Sequence, residues 1–154
     1  MRSSLPGAVC KAPIKHSSPP RSVYTDAHHE AEKHKWIESK KAGRDLGLQA
    51  IEDWYRQFWG RYCRARRLEH LSGEQQWVEF AEHEFGQMYQ SIVDGNAVLS
   101  HLIERFEAGW ENLQFTFWVQ DAKKSREEIN EILGLLEIIN INITRLEPRL
   151  HQQP

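Results

Sequence analysis

Residues 96–119 read NAVLSHLIERFEAGWENLQFTFWV, and residues 125–147 read SREEINEILGLLEIININITRLE. Apolar side chains in this part of the chain recur at alternating steps of four and three, the spacing of a helix that packs lengthwise on another. The first seam is Ile92, Asn96, Leu99, Ile103, Phe106, Trp110, Leu113 and Phe117, and the second is Ile129, Ile132, Leu136, Ile139, Ile143 and Leu146. The sequence therefore predicts a long antiparallel helical hairpin with helices at 96–119 and 126–147.

The second helix of this hairpin has a start signal and a stop signal. Residues 125–128 fit a capping box, in which Ser and Glu side chains bond free backbone N–H groups. Pro148 ends the helix because proline cannot continue it. Residues 138–144 also alternate at period two and are rich in isoleucine, as a strand would be. The continuous seam from Ile129 favours the helix.

The preceding sequence predicts three further helices, at about 26–42, 46–70 and 74–93. Thr25 or Asp26 is the candidate cap of the first, and Gly43 supplies its left-handed exit. Residues 94–96 form either a turn with Asn96 capping a new helix or a weak point inside one long helix, and we favour the turn. The predicted fold class is all-α, a bundle of four or five helices.

The two ends of the chain differ in composition from this helical part. Residues 1–24 are rich in Ser, Pro and basic side chains and contain no acid, which predicts a disordered basic tail. One helical domain is expected over 25–147, with a disordered C-terminus at 148–154.

Composition restricts the class of protein further. The chain has 154 residues, 27% of them charged, a net charge of −2 and no apolar run of about 20 residues that would span a membrane. Its beginning lacks the apolar run of a secretory signal, and its two cysteines form no CxxC pair. We therefore expect a cytoplasmic protein with no membrane partner.

Charge is divided unevenly along the sequence. Residues through Gly73 include 14 Lys/Arg and 8 Asp/Glu, whereas residues from Glu74 onward include 6 Lys/Arg and 14 Asp/Glu. A basic half joined to an acidic half favours self-association or an anionic partner for the first half. The same pattern also fits two solvated faces of one molecule.

The leading functional hypothesis is a non-enzymatic interaction module that binds a copy of itself, or another helical protein, through its C-terminal hairpin. The candidate apolar anchors at this interface are Trp110, Leu113, Leu136, Ile139 and Ile143. The alternative is that these residues are the core of a monomer. The sequence contains no Gly-x-Ser-x-Gly motif and no phosphate-binding glycine loop, and we predict no catalytic residue and no cofactor.

A second hypothesis is nucleic-acid or other polyanion binding through the second helix. Residues 54–67 interleave aromatic side chains with arginines, which pair with phosphates while aromatic rings stack on bases. The candidate residues are Arg56, Arg61, Arg64, Arg66 and Arg67. Cys63 lies among them, either as a reactive thiol beside positive charge or as a small buried residue, and we favour the second.

A third hypothesis is a metal-binding helical bundle. Glu30, His34 and Glu38 are spaced by four and share one face of the first predicted helix, and His with carboxylates at such spacing binds divalent metals. No Glu-x-x-His motif of the di-iron bundles occurs in the chain. A solvated polar face is the alternative that we favour.

Overall fold

The computed structural model describes residues 18–121 and 123–150. Within them the chain forms six α-helices, and no β-strand occurs apart from one isolated bridge between Arg21 and Trp77. The helices are α1 Val23–Ala42, α2 Leu48–Ser72, α3 Tyr89–Val93, α4 Ala97–Glu107, α5 Asn112–Val119 and α6 Arg126–Ile139. Two 3₁₀ turns lie at Glu82–Glu84 and Ile141–Thr144. The predicted all-α class is confirmed.

The first helix begins earlier than the sequence predicted. Its cap is Ser22, whose Oγ accepts from the backbone N–H of Tyr24, in place of the predicted Thr25 or Asp26. The Glu79 carboxylate reinforces this end, since it accepts from Ser22 Oγ at 2.7 Å and from the N–H of Val23 at 2.8 Å. A carboxylate is stabilised by the positive end of the helix dipole. Residues 22–24 of the predicted tail therefore belong to the fold, whereas residues 1–17 lie outside the described residues.

Helices α1 and α2 form a hairpin with a closely packed interface. Val23, Ala27 and Ala31 of α1 are four apart and fully buried, and their small side chains let the aromatic residues of α2 approach. We call the resulting core the N-terminal cluster. Its buried members are Val23, Ala27, Ala31, Ile51, Trp54, Tyr55, Trp59, Cys63, Trp77 and Phe80.

Residues 74–93 do not form the single helix that we predicted. Gly73 ends α2 in the left-handed conformation, with φ 88°, and only Tyr89–Val93 is α-helical in this region. The intervening loop satisfies its backbone with the end of α2, because the N–H of Gly86 donates to the carbonyl of His70 and that of Met88 to the carbonyl of Leu71. These tertiary hydrogen bonds replace the local bonds of a helix.

The C-terminal half also differs from two long rods. A break is present at residues 94–96, where Asn96 caps α4 by accepting from the N–H of Leu99 at 3.0 Å. The predicted helix 96–119 is two helices, since α4 ends at Glu107 and Gly109 turns the chain with φ 99° before α5.

The last predicted helix, 126–147, is shorter in the structure. The capping box at Ser125 and Glu128 starts α6, but the helix ends at Ile139 because Asn140 adopts a left-handed φ of 52°. The following residues form a 3₁₀ turn at Ile141–Thr144, and residues 138–144 are not a strand.

Helices α4, α5 and α6, with the end of α2, enclose a second core, which we call the C-terminal cluster. Its buried members are Leu71, Met88, Leu99, Leu102, Phe106, Phe115, Val119, Ile132, Leu135, Ile139 and Ile141. Helix α4 packs against α6, and α2 contacts both. Helix α2 therefore belongs to both cores.

The end of the described chain returns to the N-terminal cluster. Leu146 and Leu150 pack against that cluster, and the indole N–H of Trp59 donates to the carbonyl of Leu146 at 2.7 Å. The Arg149 guanidinium lies over the ring of Tyr24. Residues 148–150 of the predicted disordered C-terminus thus contact the fold, and 151–154 lie outside the described residues.

None of the helices in the described ranges combines the length and the apolar composition that crossing a membrane requires.

Candidate interaction surface

Arg67 of α2 is a buried cap for the end of α6. Its side chain is fully buried, with Nε donating to the carbonyl of Ile139 and Nη2 to that of Ile138, both at 2.9 Å. Its third contact is an ion pair from Nη1 to Glu84 Oε1 at 2.8 Å. The last carbonyls of a helix have no partner within it, and the negative end of the helix dipole favours a cation there. Arg67 supplies both a donor and a charge.

Arg64, one turn earlier on α2, bonds the end of α4 and the turn that follows it. Its Nη1 donates to the carbonyls of Phe106 and Trp110 at 2.7 and 2.8 Å, and its Nη2 contacts Glu111 Oε2 at 2.8 Å. Burial lowers the pKa of the Arg64 guanidinium, and the carboxylate of Glu111 opposes that effect. Since an arginine pKa begins above 12, the group remains charged.

The other three arginines of the predicted polyanion site lie in different surroundings. Arg66 is half-buried, 4.5 Å from the ring centroid of Tyr62, and bonded to Glu69 at 3.0 Å. Arg56 is exposed and paired with Asp53, and Arg61 is exposed over the ring of Phe58. The five arginines are therefore not presented together, and two of them are engaged inside the molecule.

The side chains of His70 and Cys63, which could be reactive in other surroundings, are also buried and contribute to the fold. His70 Nδ1 accepts from the N–H of Trp77 at 3.0 Å, and Nε2 donates to the carbonyl of Ala81 at 2.8 Å, so the ring is neutral. Burial lowers the pKa of His70. Burial also raises the pKa of the Cys63 thiol to about 12, so Cys63 is a core residue and not an activated nucleophile.

The predicted metal ligands are held by other partners. Glu30 pairs with Lys33 at 3.5 Å and Glu38 with Lys41 at 3.2 Å, each one helical turn away. His34 packs edge-on against Phe58, with ring centroids 5.9 Å apart. Over the described residues no three His, Cys, Asp or Glu side chains come together as metal ligands.

The five predicted interface residues divide between core and surface. Ile139 is fully buried, Trp110 and Leu136 are half-buried against the C-terminal cluster, and Ile143 is half-buried against the N-terminal cluster. Only Leu113 is exposed, at 64%. Most of the predicted anchors are thus occupied within the monomer.

Helix α5 exposes two large apolar side chains on one face. Leu113 and Phe117 are four residues apart, and each is 64% exposed. The opposite side of α5 is buried through Phe115 and Val119. We call Leu113 and Phe117 the α5 face. The seam spacing predicted an internal position for Phe117, but the run LQFTFWV is apolar on all sides of a helix, more than one core contact covers.

A second exposed apolar group lies where α1 and α2 meet, and sequence reasoning missed it. Helix α1 ends with a left-handed Gly43, and Ser39 Oγ accepts from the N–H of Leu46 at 3.0 Å, which folds the connection onto the helix. Exposed apolar and basic side chains surround this turn. We call them the hairpin tip, namely Trp36, Ile37, Lys40, Arg44 and Leu48.

A cavity of about 310 Å³ lies at the other end of α2. Its apolar walls come from α2, α3, α4 and the loop before α3, and three carboxylates line it. The lining includes Leu68, Leu71, Met88, Ile92, Ile103, Glu69, Glu74 and Glu107.

No protein-family model, no curated protein and no solved structure matches this chain.

Proposed function

We propose that this chain is a non-enzymatic helical interaction module that pairs with a second copy through the α5 face. The observation that carries the proposal is the 64% exposure of both Leu113 and Phe117 on a helix whose other side is already buried in the monomer. Single exposed apolar side chains are ordinary, but two on adjacent turns of one face form a contiguous patch.

Charge explains why a second copy is the favoured occupant. Residues 112–120, NLQFTFWVQ, contain no charged side chain, although the chain from Glu74 onward carries an excess of acids. In a two-fold contact each surface meets its own copy, so a charged face would repel itself. An uncharged apolar face avoids that repulsion, and interface cores are depleted of charge.

The chemistry of the buried groups supports a non-enzymatic role. His70 is neutral and hydrogen-bonded on both ring nitrogens, and Cys63 is a buried thiol, so both are engaged in the fold. Arg64 and Arg67 hold helix ends and are not available to a nucleic acid. The α5 face, in contrast, is not buried within the monomer and is therefore available for self-association.

Substituting Phe117→Glu tests the proposal. At physiological salt and micromolar concentrations we expect the wild-type protein to show a mass that rises with concentration from 18.1 kDa toward twice that value. Phe117→Glu weakens this dimer by more than about 30-fold, the size of effect typical of a central apolar anchor. The measurement is sedimentation equilibrium, with circular dichroism to verify that the helices are retained.

Val93→Glu is the matched control, because Val93 is similarly exposed but lies on α3. It should leave the dimer unchanged. The proposal is wrong if the wild-type mass is independent of concentration, or if Phe117→Glu and Val93→Glu weaken association equally.

A further inference from the structure

We propose that the hairpin tip of one copy docks into the cavity between α2, α3 and α4 of another copy, so that copies join head to tail. This contact uses surfaces other than the α5 face and does not depend on pairing through that face.

The hairpin tip combines a protruding aromatic ring with positive charge. Trp36 is 63% exposed, and Lys40 Nζ lies 5.4 Å from the centroid of its ring, within reach of a cation–π attraction. Ile37 and Leu48 extend the apolar surface. In the described part of the chain Lys40 forms no ion pair, so its ammonium group is available to a carboxylate of a partner.

The cavity has the complementary chemistry. Its walls are aliphatic side chains, among them Leu68 and Ile103, and at about 310 Å³ it lies at the small end of ligand pockets, a size suited to one bulky side chain. Glu74 and Glu107 of its lining are exposed, and among the described residues neither takes part in an ion pair. An aromatic ring with an adjacent ammonium group fits an apolar cavity bordered by carboxylates.

The two surfaces cannot meet within one molecule. Leu48 begins α2 and Leu68 lies near its end, and at 1.5 Å per residue the helix separates them by about 30 Å. A contact between tip and cavity therefore joins two copies through different surfaces. Such a heterologous contact produces a ring if it closes and an open chain if it does not.

The contact should be weak and sensitive to salt. One indole and two aliphatic side chains bury less than the roughly 1,200 Å² of a stable interface. The ion pairs at the edge of the cavity are exposed, so salt screens them. Association is therefore best measured at low salt and at protein concentrations up to about 1 mM.

The test mixes two variants that each lack one half of the contact. Both carry Phe117→Glu, so that the α5 face does not contribute. The tip variant adds Trp36→Ala and Ile37→Ser, and the cavity variant adds Glu74→Lys and Glu107→Lys; all four positions are solvent-exposed. The control variant adds Val78→Ala to Phe117→Glu, which truncates an exposed apolar side chain elsewhere.

We expect each variant alone to remain at 18.1 kDa by sedimentation equilibrium and the equimolar mixture to form a discrete dimer of twice that mass. The tip variant keeps an intact cavity, and the cavity variant keeps an intact tip, so the two can form one contact. No further copy can be added, because the other tip and the other cavity are both altered. The control variant alone should form longer species whose association weakens by more than about 30-fold when Trp36→Ala is added.

Three results would overturn the head-to-tail contact. The first is a mixture that remains monomeric at about 1 mM while the control variant associates. The second is association of the cavity variant by itself. The third is that no protein carrying Phe117→Glu associates at all. None of these counts against the α5 face, which is judged by comparing the wild-type protein with Phe117→Glu.

Discussion

The ends of the two longest helices are bonded through backbone N–H groups, whereas the ends of two shorter helices in the C-terminal half are also bonded to arginine side chains of α2. Gly43 and Gly73 adopt left-handed conformations and turn their N–H groups back to the last carbonyls of α1 and α2. Helix α4 is also followed by a left-handed glycine, Gly109, but its Phe106 carbonyl additionally accepts a hydrogen bond from Arg64. The carbonyls of Ile138 and Ile139 at the end of α6 accept hydrogen bonds from Arg67. The backbone bonds at Gly43 and Gly73 are local to each helix, whereas the two arginines make the C-terminal half depend on α2.

This dependence follows from the length and burial of the C-terminal helices. Short helices are marginal in isolation, so their stability comes from tertiary contacts. The end of α6 is buried, since Ile139 is fully covered, and water cannot satisfy its carbonyl. The guanidinium of Arg67, carried by a neighbouring helix, provides the missing donors at the end of α6, and that of Arg64 adds a donor to the Phe106 carbonyl of α4.

Removing Arg67 should have the largest effect on the stability of the protein. Arg67→Met leaves two carbonyls and the Glu84 carboxylate without their donor, and breaking a buried ion pair at one side costs about 3–5 kcal/mol in the free energy of unfolding. Urea denaturation monitored by circular dichroism measures the loss. Arg67→Lys should recover only part of it, because one ammonium group does not reproduce three donors in a planar fork.

Arg61→Met is the matched control for this experiment. Arg61 lies on the same helix but is exposed, so its replacement should change stability by less than about 0.5 kcal/mol. Equal losses from Arg67→Met and Arg61→Met would contradict the capping role.

The parts of the fold that could be predicted from the sequence are those that depend on local signals. The all-α class, the turn at Gly43, the cap at Asn96 and the capping box at Ser125 depend on side chains a few residues apart, and these signals were visible. The partners of Arg64 and Arg67 lie more than 40 residues away along the chain, except for Glu84. An arginine-rich helix gives no local indication of which arginines are buried.

The exposed surfaces were predicted less well for a related reason. The seam spacing placed Phe117 inside, but the break at Gly109 reorients α5 relative to α4 and leaves Phe117 in solvent. A single positive-φ glycine changes the phase of the helical pattern, so the seam assignments that follow it in α5 change, whereas Ile132 and Ile139 of α6 are buried as expected. The loop at 74–88 is a similar case, because its backbone partners are carbonyls of His70 and Leu71 and the ring of His70.

Buried His70 at the end of α2 should make the stability of the protein depend on pH. Burial lowers its folded-state pKa, whereas in the unfolded chain the pKa is about 6.5, so below that pH the unfolded state binds more protons. The contribution of neutral His70 is complete above about pH 6.5 and is lost as pH falls from there toward the folded-state pKa. The slope reaches at most about 1.4 kcal/mol per pH unit.

Urea midpoints between pH 7.5 and 5 measure this effect. His70→Gln should be less stable at pH 7.5 but should show a flatter dependence in that interval, while His101→Gln, at an exposed position, should keep the wild-type slope. The carboxylate of Glu84, whose pKa is lowered chiefly by its hydrogen bond from Arg67, contributes in the same direction but only below about pH 4.5. An unchanged slope in His70→Gln would show that other groups control stability in this range.

The smallest expected effect compares two glycines by the same substitution. Gly43→Ala places a side chain at φ 73°, which costs about 1 kcal/mol although no heavy atom lies within 4 Å of the added Cβ. Gly60→Ala should instead stabilise the protein by about 0.5–1 kcal/mol, since Gly60 is an exposed position inside α2 with equally open surroundings. Because the added Cβ meets no steric contact at either position, the opposite signs of the two stability changes are due to backbone conformation alone. Thermal unfolding of both variants measures it, and destabilisation by Gly60→Ala would mean that α2 is constrained at its centre by something other than helix propensity.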